Sequence, residues 1–231
     1  MAEPDTNRLL AAMAPGDLAL LLPSLEPVDL SHRQVLERPN HPIAHVHFPD
    51  AGLASVVAIA GGGRRIEAGL FGSEGMSGTA VLLGADRSPN ETFMQVPGHG
   101  RRLPAAAFRQ ALDASPTLRA FLLRFAQVML VQASHTALAN GHAHIEERLA
   151  RWLLMCHDRV GGDDLPLTHE FLSLMLGVRR AGVTVALGAL ESQGLIRTRR
   201  GGCAVVDRKG LEKLADGIYG VPEAEQRRLL G

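Results

Sequence analysis

Five arginines and a single acid, Glu191, share the stretch GVRRAGVTVALGALESQGLIRTRRGG at residues 177–202. The whole chain is neutral, with 24 lysines and arginines against 24 aspartates and glutamates. Guanidinium groups hold phosphates and guanine edges through paired N–H donors, so a local cationic surplus in a neutral chain points to nucleic acid. Spacing sharpens this. Arg179 and Arg180 precede a helical stretch, whereas Arg197, Arg199 and Arg200 follow it beside two glycines. The first pair suits base edges, with Arg180 as the guanine reader, and the second group suits phosphates.

Other chemistry is sparser. Arg87-Ser88 is suited to a phosphate, and Glu74, Ser77 and Gly78 precede it in a small-residue stretch. His41, His45 and His47 cluster at the start of an apolar run, and His99 lies in a later Pro-Gly-His turn. His45 and His47 share one strand face, a spacing similar to the metal-binding pair of cupins, which leaves a metal-dependent enzyme as an alternative. Asp50 is the one carboxylate close to them in sequence. Cys156 and Cys203 stand too far apart to suggest a metal pair or a four-cysteine cluster, and Cys156 falls on an apolar helical stripe as inert core. No metal and no cofactor are expected.

The elements that position these residues follow from periodicity. Residues 5–22 predict a short helix broken at Pro15-Gly16. From Pro23 to about Leu103, short apolar runs alternate with Pro, Gly and Asn, the pattern of an antiparallel roll. Gly61-Gly62-Gly63 reads as a hairpin turn in it. Ser115 and Pro116 then open a long helix reaching about Ala139. Its dense apolar residues, Leu118, Phe121, Leu122, Phe125, Met129 and Leu130, suggest pairing with the same helix of a second copy, through Leu118, Phe121, Leu122, Phe125 and Met129, with an internal core helix as the alternative. HIEERLARWLLMCHDRV forms a further helix, ending at Gly161-Gly162.

Two helices and a tight turn occupy residues 167–196. Thr168 caps the first, Gly177 permits the turn, and Gly194 ends the second. RTRR-GG-CAVV then reads as a hairpin turning on Gly201-Gly202, which completes a winged helix-turn-helix. Val183, Leu187 and Leu190 face inward. Ala181, Thr184, Val185 and Gly188 face outward, a small and nearly apolar surface. The DNA-contacting set is therefore Thr168, Arg179, Arg180, Ala181, Thr184, Val185, Arg197, Arg199 and Arg200.

On HIEERLARWLLMCHDR, LPLTHEFLSLMLGVRRAGVT and ALESQGLI, the chain resembles the CRP/FNR family of bacterial transcription regulators, strongly over 142–207 and weakly before. The resemblance implies an α+β protein: a cyclic-nucleotide-binding-like β-roll that senses an effector, a dimerisation helix, and a winged helix-turn-helix on double-stranded DNA. It also implies a homodimer and RNA polymerase as a partner. The corresponding divisions are 1–113, 114–141 and 142–231.

Two departures stand out. The family's helix carries an arginine-glutamate pair and a second arginine one turn later; Arg180 matches the first, but Ala181 and Val185 replace the others. Cyclic-nucleotide binders place a ribose-binding glutamate before the phosphate-binding arginine, and here Gly78 occupies that slot. The effector candidates are thus Glu74, Ser77, Gly78, Arg87 and Ser88, with a cyclic-nucleotide response as the alternative and loss of that response as the leading expectation. No run approaches the roughly 20 apolar residues that span a bilayer, and MAEPDTNRLLAAM lacks the form of a secretion signal. A cytoplasmic protein with no catalytic activity is expected.

Overall fold

The computed structural model describes residues 6–231, and the expectations for residues 1–5 lie outside it. Asn7 caps α1 (Arg8–Ala11), and Pro15 opens α2 (Pro15–Leu21), so the expected helix is split at its Pro-Gly pair. Seven strands follow: β1 (Glu26–Leu30), β2 (Val35–Glu37), β3 (His45–Pro49), β4 (Leu53–Ile59), β5 (Arg65–Phe71), β6 (Glu91–Val96) and β7 (Gly98–Pro104), with α3 (Thr79–Leu82) between β5 and β6. They form two antiparallel sheets, ordered β1-β7-β3 and β2-β6-β4-β5, that make the expected roll. The triple glycine lies in the β4–β5 hairpin.

Helix α4 (Ala105–Ala114) leads to α5 (Pro116–His142), roughly 40 Å long at about 1.5 Å per residue. Ser115 Oγ accepts the Leu118 N–H at 3.1 Å, and Pro116 supplies the first turn with a preset φ. The face that α5 turns to the roll corrects the dimer expectation. Leu118, Leu122 and Phe125 are at most 1% exposed, in one core with Val46, Phe48, Met76, Leu103 and Phe108. Phe121 and Met129 are half-buried against the same core. A helix apolar nearly all round satisfies its own roll first, because burial within the chain needs no second molecule. Its exposed stripe is instead Leu123, Gln127, Leu130, Ser134 and Ala137, with Leu138 beside it.

The C-terminal part comprises α6 (Ile145–His157), β8 (Asp164–Leu165), α7 (His169–Leu176), α8 (Arg180–Ser192), β9 (Ile196–Arg199), β10 (Gly202–Val205), α9 (Arg208–Leu214) and α10 (Val221–Leu230). The wing is a three-stranded sheet, β8-β10-β9, and α10 folds back along α5. This half shares a core with the roll: Leu53, Val57, Leu70 and Phe93 pack with Trp152, Leu153, Leu172 and Val183. Polar links reinforce the joint. Trp152 Nε1 donates to Glu67 at 2.7 Å, and Arg159 Nε donates to Glu74 at 2.6 Å.

Candidate nucleic-acid interface and roll cavity

Thr168 Oγ1 accepts the Phe171 N–H at 3.2 Å and starts α7, so this side chain is engaged as the helix cap. At Gly177 the backbone turns left-handed with φ 62, and an added Cβ would lie 2.9 Å from Ile66 Cδ1. Glycine meets both demands. The chain then bends through 103° into α8. Val183, Ala186, Leu187 and Leu190 are buried, with Val183 and Leu190 wholly so. Arg179, Arg180, Ala181, Thr184, Val185 and Gly188 are exposed together on the other side, and Val185 is 67% exposed.

Thr184 Oγ1 donates to the Arg180 carbonyl at 3.1 Å and lies 3.1 Å from His169 Nδ1, which joins α8 to α7. Its hydroxyl is committed within the motif, so its methyl is what it offers to a partner. Leu195 N–H bonds to the Leu190 carbonyl at 3.0 Å, with Gly194 at φ 71 ending α8.

The wing departs from expectation in its turn. Arg199 pairs with Gly202, so the two-residue turn is Arg200-Gly201 rather than Gly201-Gly202. The register is set by β8 on the far side of β10, where Cys203 faces Leu165. Arg199 is also less free than expected, since Asp164 sits 2.9 Å from its guanidinium; both side chains are largely exposed. Among the described residues, no salt bridge engages Arg179, Arg180, Arg197 or Arg200. The lone acid of the stretch has a structural use that sequence reading missed. Glu191 accepts the Thr198 N–H at 2.6 Å and its hydroxyl at 2.7 Å, clamping the wing to α8. Those hydrogen bonds hold the carboxyl below its ordinary range. The available signal was its isolation among five arginines.

Beside the roll, a cavity of about 320 Å3 lies between the four-stranded sheet, the segment around α3, and α5. Of the five effector candidates, Ser77 and Ser88 line it. Glu74 does not: it is buried against Gly72 N–H and Arg159, with Arg8 at 3.6 Å. Burial pushes its carboxyl up, but the Arg159 guanidinium and the backbone N–H groups of Gly72 and Glu74 together hold it low. Arg87 is exposed and bound through both Nε and a terminal nitrogen to its neighbour Asp86, away from the cavity. Gly78 is a backbone donor only. At φ 81, with Val46 Cγ2 2.7 Å from any added Cβ, it has no room for a side chain. The carboxylate in the cavity is Glu37, from β2, whose Oε1 accepts the Gly78 N–H at 2.7 Å. A larger groove of about 1070 Å3 opens between the roll and α7, with the Arg65–Glu91 pair along it.

His45 and His47 share one face of β3 with their rings 6.3 Å apart, as their spacing predicts. His47 is buried, its Nδ1 lies 3.1 Å from Ser77 Oγ, and burial lowers its pKa to about 4 with help from His45 and Arg102. His99 lies opposite Asp29 on β7 instead. Among the described residues no three His, Cys, Asp or Glu side chains are placed to hold a metal. Cys156 and Cys203 are both buried; burial raises the first thiol far above its ordinary value and the second to about 11.

The architecture is thus a β-roll joined by a long helix to a winged helix-turn-helix whose outer face packs on no core. The family model of the Crp-like helix-turn-helix domain matches residues 147–214, and those residues form such a domain. Solved structures extend the likeness to nearly the full length. A protein of Eubacterium rectale assigned to the crp/fnr family of transcriptional regulators superposes with a TM-score of 0.72 at 17% identity, over 90% of this chain and 97% of that one. FixK2 from Bradyrhizobium japonicum gives 0.69 at 18%, over 82% and 96%. The c-di-GMP responsive global regulator CLP of Xanthomonas campestris gives 0.64 at 18%, over 83% and 99%. At these identities the likeness is one of fold: the chain has the CRP/FNR architecture. Comparison with curated protein sequences gives no match. No single described helix is long and apolar enough to cross a membrane; the α7–α8 pair meets that test jointly but is sharply bent.

Proposed function

We propose that this protein is a homodimeric, sequence-specific DNA-binding transcription regulator of the CRP/FNR type, not an enzyme, and one that does not respond to cyclic AMP. One observation carries the reading. The outer face of α8, from Arg180 to Gly188, is used by no core, and among the described residues no salt bridge engages Arg179, Arg180, Arg197 or Arg200 beside it. A helix in the major groove presents that face to base edges, where Ala181, Val185 and the Thr184 methyl suit thymine methyls and Arg180 suits guanine. Arg197 and Arg200 follow the phosphates, with Arg199 joining once Asp164 releases it.

The dimer reading moves to the exposed stripe of α5. Leu123, Gln127, Leu130, Ser134 and Ala137 recur at alternating intervals of four and three, the spacing of a two-helix seam. The absence of a cyclic-AMP response is supported by Arg87, which is paired with Asp86 on the surface and does not line the roll cavity. RNA polymerase is the further partner that the resemblance implies.

Binding to a selected operator and to random DNA over a salt series tests the assignment. Arg180→Ala is expected to narrow the gap between them by roughly 1–3 kcal/mol. Arg200→Ala is expected to weaken both DNAs alike and flatten the salt slope by roughly one unit, with Arg199→Ala doing less. If Arg180→Ala leaves discrimination intact, Arg180 is not the reader and the small face carries the sequence preference alone.

A further inference from the structure

We infer that the roll cavity takes a small uncharged or cationic ligand that donates hydrogen bonds to Glu37, and that it rejects anions such as a nucleotide phosphate. This rests on the reading of the roll as a sensor and adds the chemistry of what it senses. The cavity, at about 320 Å3, is of the size that holds small organic molecules. Among the described residues Glu37 is the only ionisable one lining it, at 7% exposed; the other polar groups there are the hydroxyls of Ser77, Thr79, Ser88 and Thr92 and the amide of Asn90.

The placement of that carboxylate matters. The resemblance to cyclic-nucleotide binders would put an acid at the Gly78 slot, and here φ and Val46 forbid a side chain there. Glu37 reaches the same point from a different strand, 2.7 Å from the Gly78 nitrogen. The acceptor is therefore retained while the cation is removed, because Arg87 is outside the cavity and chelated by Asp86. An anion entering would lose its water and meet like charge. A cation or an O–H or N–H donor would relieve a carboxylate whose pKa burial already raises against the pull of Gly78 and Thr92. The apolar wall includes Ala126, Met129 and Leu130 of α5, and Leu130 also lies on the proposed dimer stripe. Occupancy would thus be felt at the helix proposed to pair.

Benzylamine, benzyl alcohol and benzoate share a ring and differ in head-group charge, so saturation-transfer NMR on the full chain ranks them directly, with cyclic AMP as the phosphate control. The amine and alcohol are expected to bind roughly ten-fold or more tightly than benzoate and cyclic AMP. Glu37→Gln should weaken the amine by roughly ten-fold or more and the alcohol far less, since the amide oxygen still accepts. Ala133→Phe, which fills the cavity from α5, should abolish both. Amine binding that survives Ala133→Phe overturns the reading of this cavity as the ligand site. Binding that is lost there but favours benzoate, or ignores Glu37→Gln, overturns only the ligand class. Failure of both donors to bind at millimolar concentration also overturns it. The wild-type ranking decides the class without any variant, so a Glu37→Gln chain that did not fold would leave the test intact.

Discussion

Replacing Glu67 with glutamine should make the protein more stable at pH 8 and leave it unchanged near pH 4.5. Glu67 on β5 is 4% exposed, accepting Trp152 Nε1–H and the Ser55 hydroxyl, each at 2.7 Å. Burial raises its pKa to about 7, against the opposing pull of Ser55, Trp152, Arg151 and Arg159.

The sign follows from a folded-state pKa above the unfolded value of 4.5. Below about pH 4.5 both states hold the proton. As pH rises from 4.5 to 7 the unfolded chain ionises first, so stability is lost, and above about 7 the loss levels off. At roughly 1.4 kcal/mol per pH unit that loss is roughly 3 kcal/mol. His47 acts oppositely: its pKa of about 4 means stability is lost as pH falls from 6.5 towards 4. The two offset each other in wild type between about 4.5 and 6.5, so the informative quantity is the difference between wild type and Glu67→Gln. Glutamine keeps an acceptor for Trp152 and a donor for Ser55 with no charge to bury. Urea unfolding followed by fluorescence of Trp152, the only tryptophan in the chain, measures it at the bond itself. The difference should grow from near zero at pH 4.5 to roughly 3 kcal/mol at pH 8, with glutamine the more stable. A difference that stays constant from pH 5 to 8 refutes the reasoning.

Two further outcomes follow from the packing. Leu130→Asp, at an exposed position of α5, should convert dimer to folded monomer in light scattering. Phe125→Asp should unfold the chain instead, by several kcal/mol for an unpaired buried charge; a Leu130→Asp protein that stays dimeric would place the seam elsewhere. Both thiols should resist an aromatic disulfide reagent at pH 8 until denaturant is added, since neither ionises readily in its buried site. Fast native labelling would contradict the burial of Cys156.

Local signals carried the helix-turn-helix legibly into the sequence. Thr168 as cap, Gly177 at the turn, Gly194 after α8 and the Val183-Leu187-Leu190 stripe each act over four residues or fewer, and each was readable before any fold was known. The roll was legible as a class, because alternation and turn residues mark strands without saying which strands pair. What tertiary structure decided was contact between distant residues. Glu74 with Arg159 and Glu67 with Trp152 each span 85 residues, and Glu37 reaches Gly78 across 41. No periodicity marks such partners, so the sequence places Glu74 among the cavity candidates and carries no signal for Glu37. The face of α5 was undetermined for a different reason. With leucines and other apolar residues on every side, its pattern offers no unique stripe, and only the roll packed against it selects Leu118, Leu122 and Phe125 for the interior and leaves Leu123 and Leu130 outside.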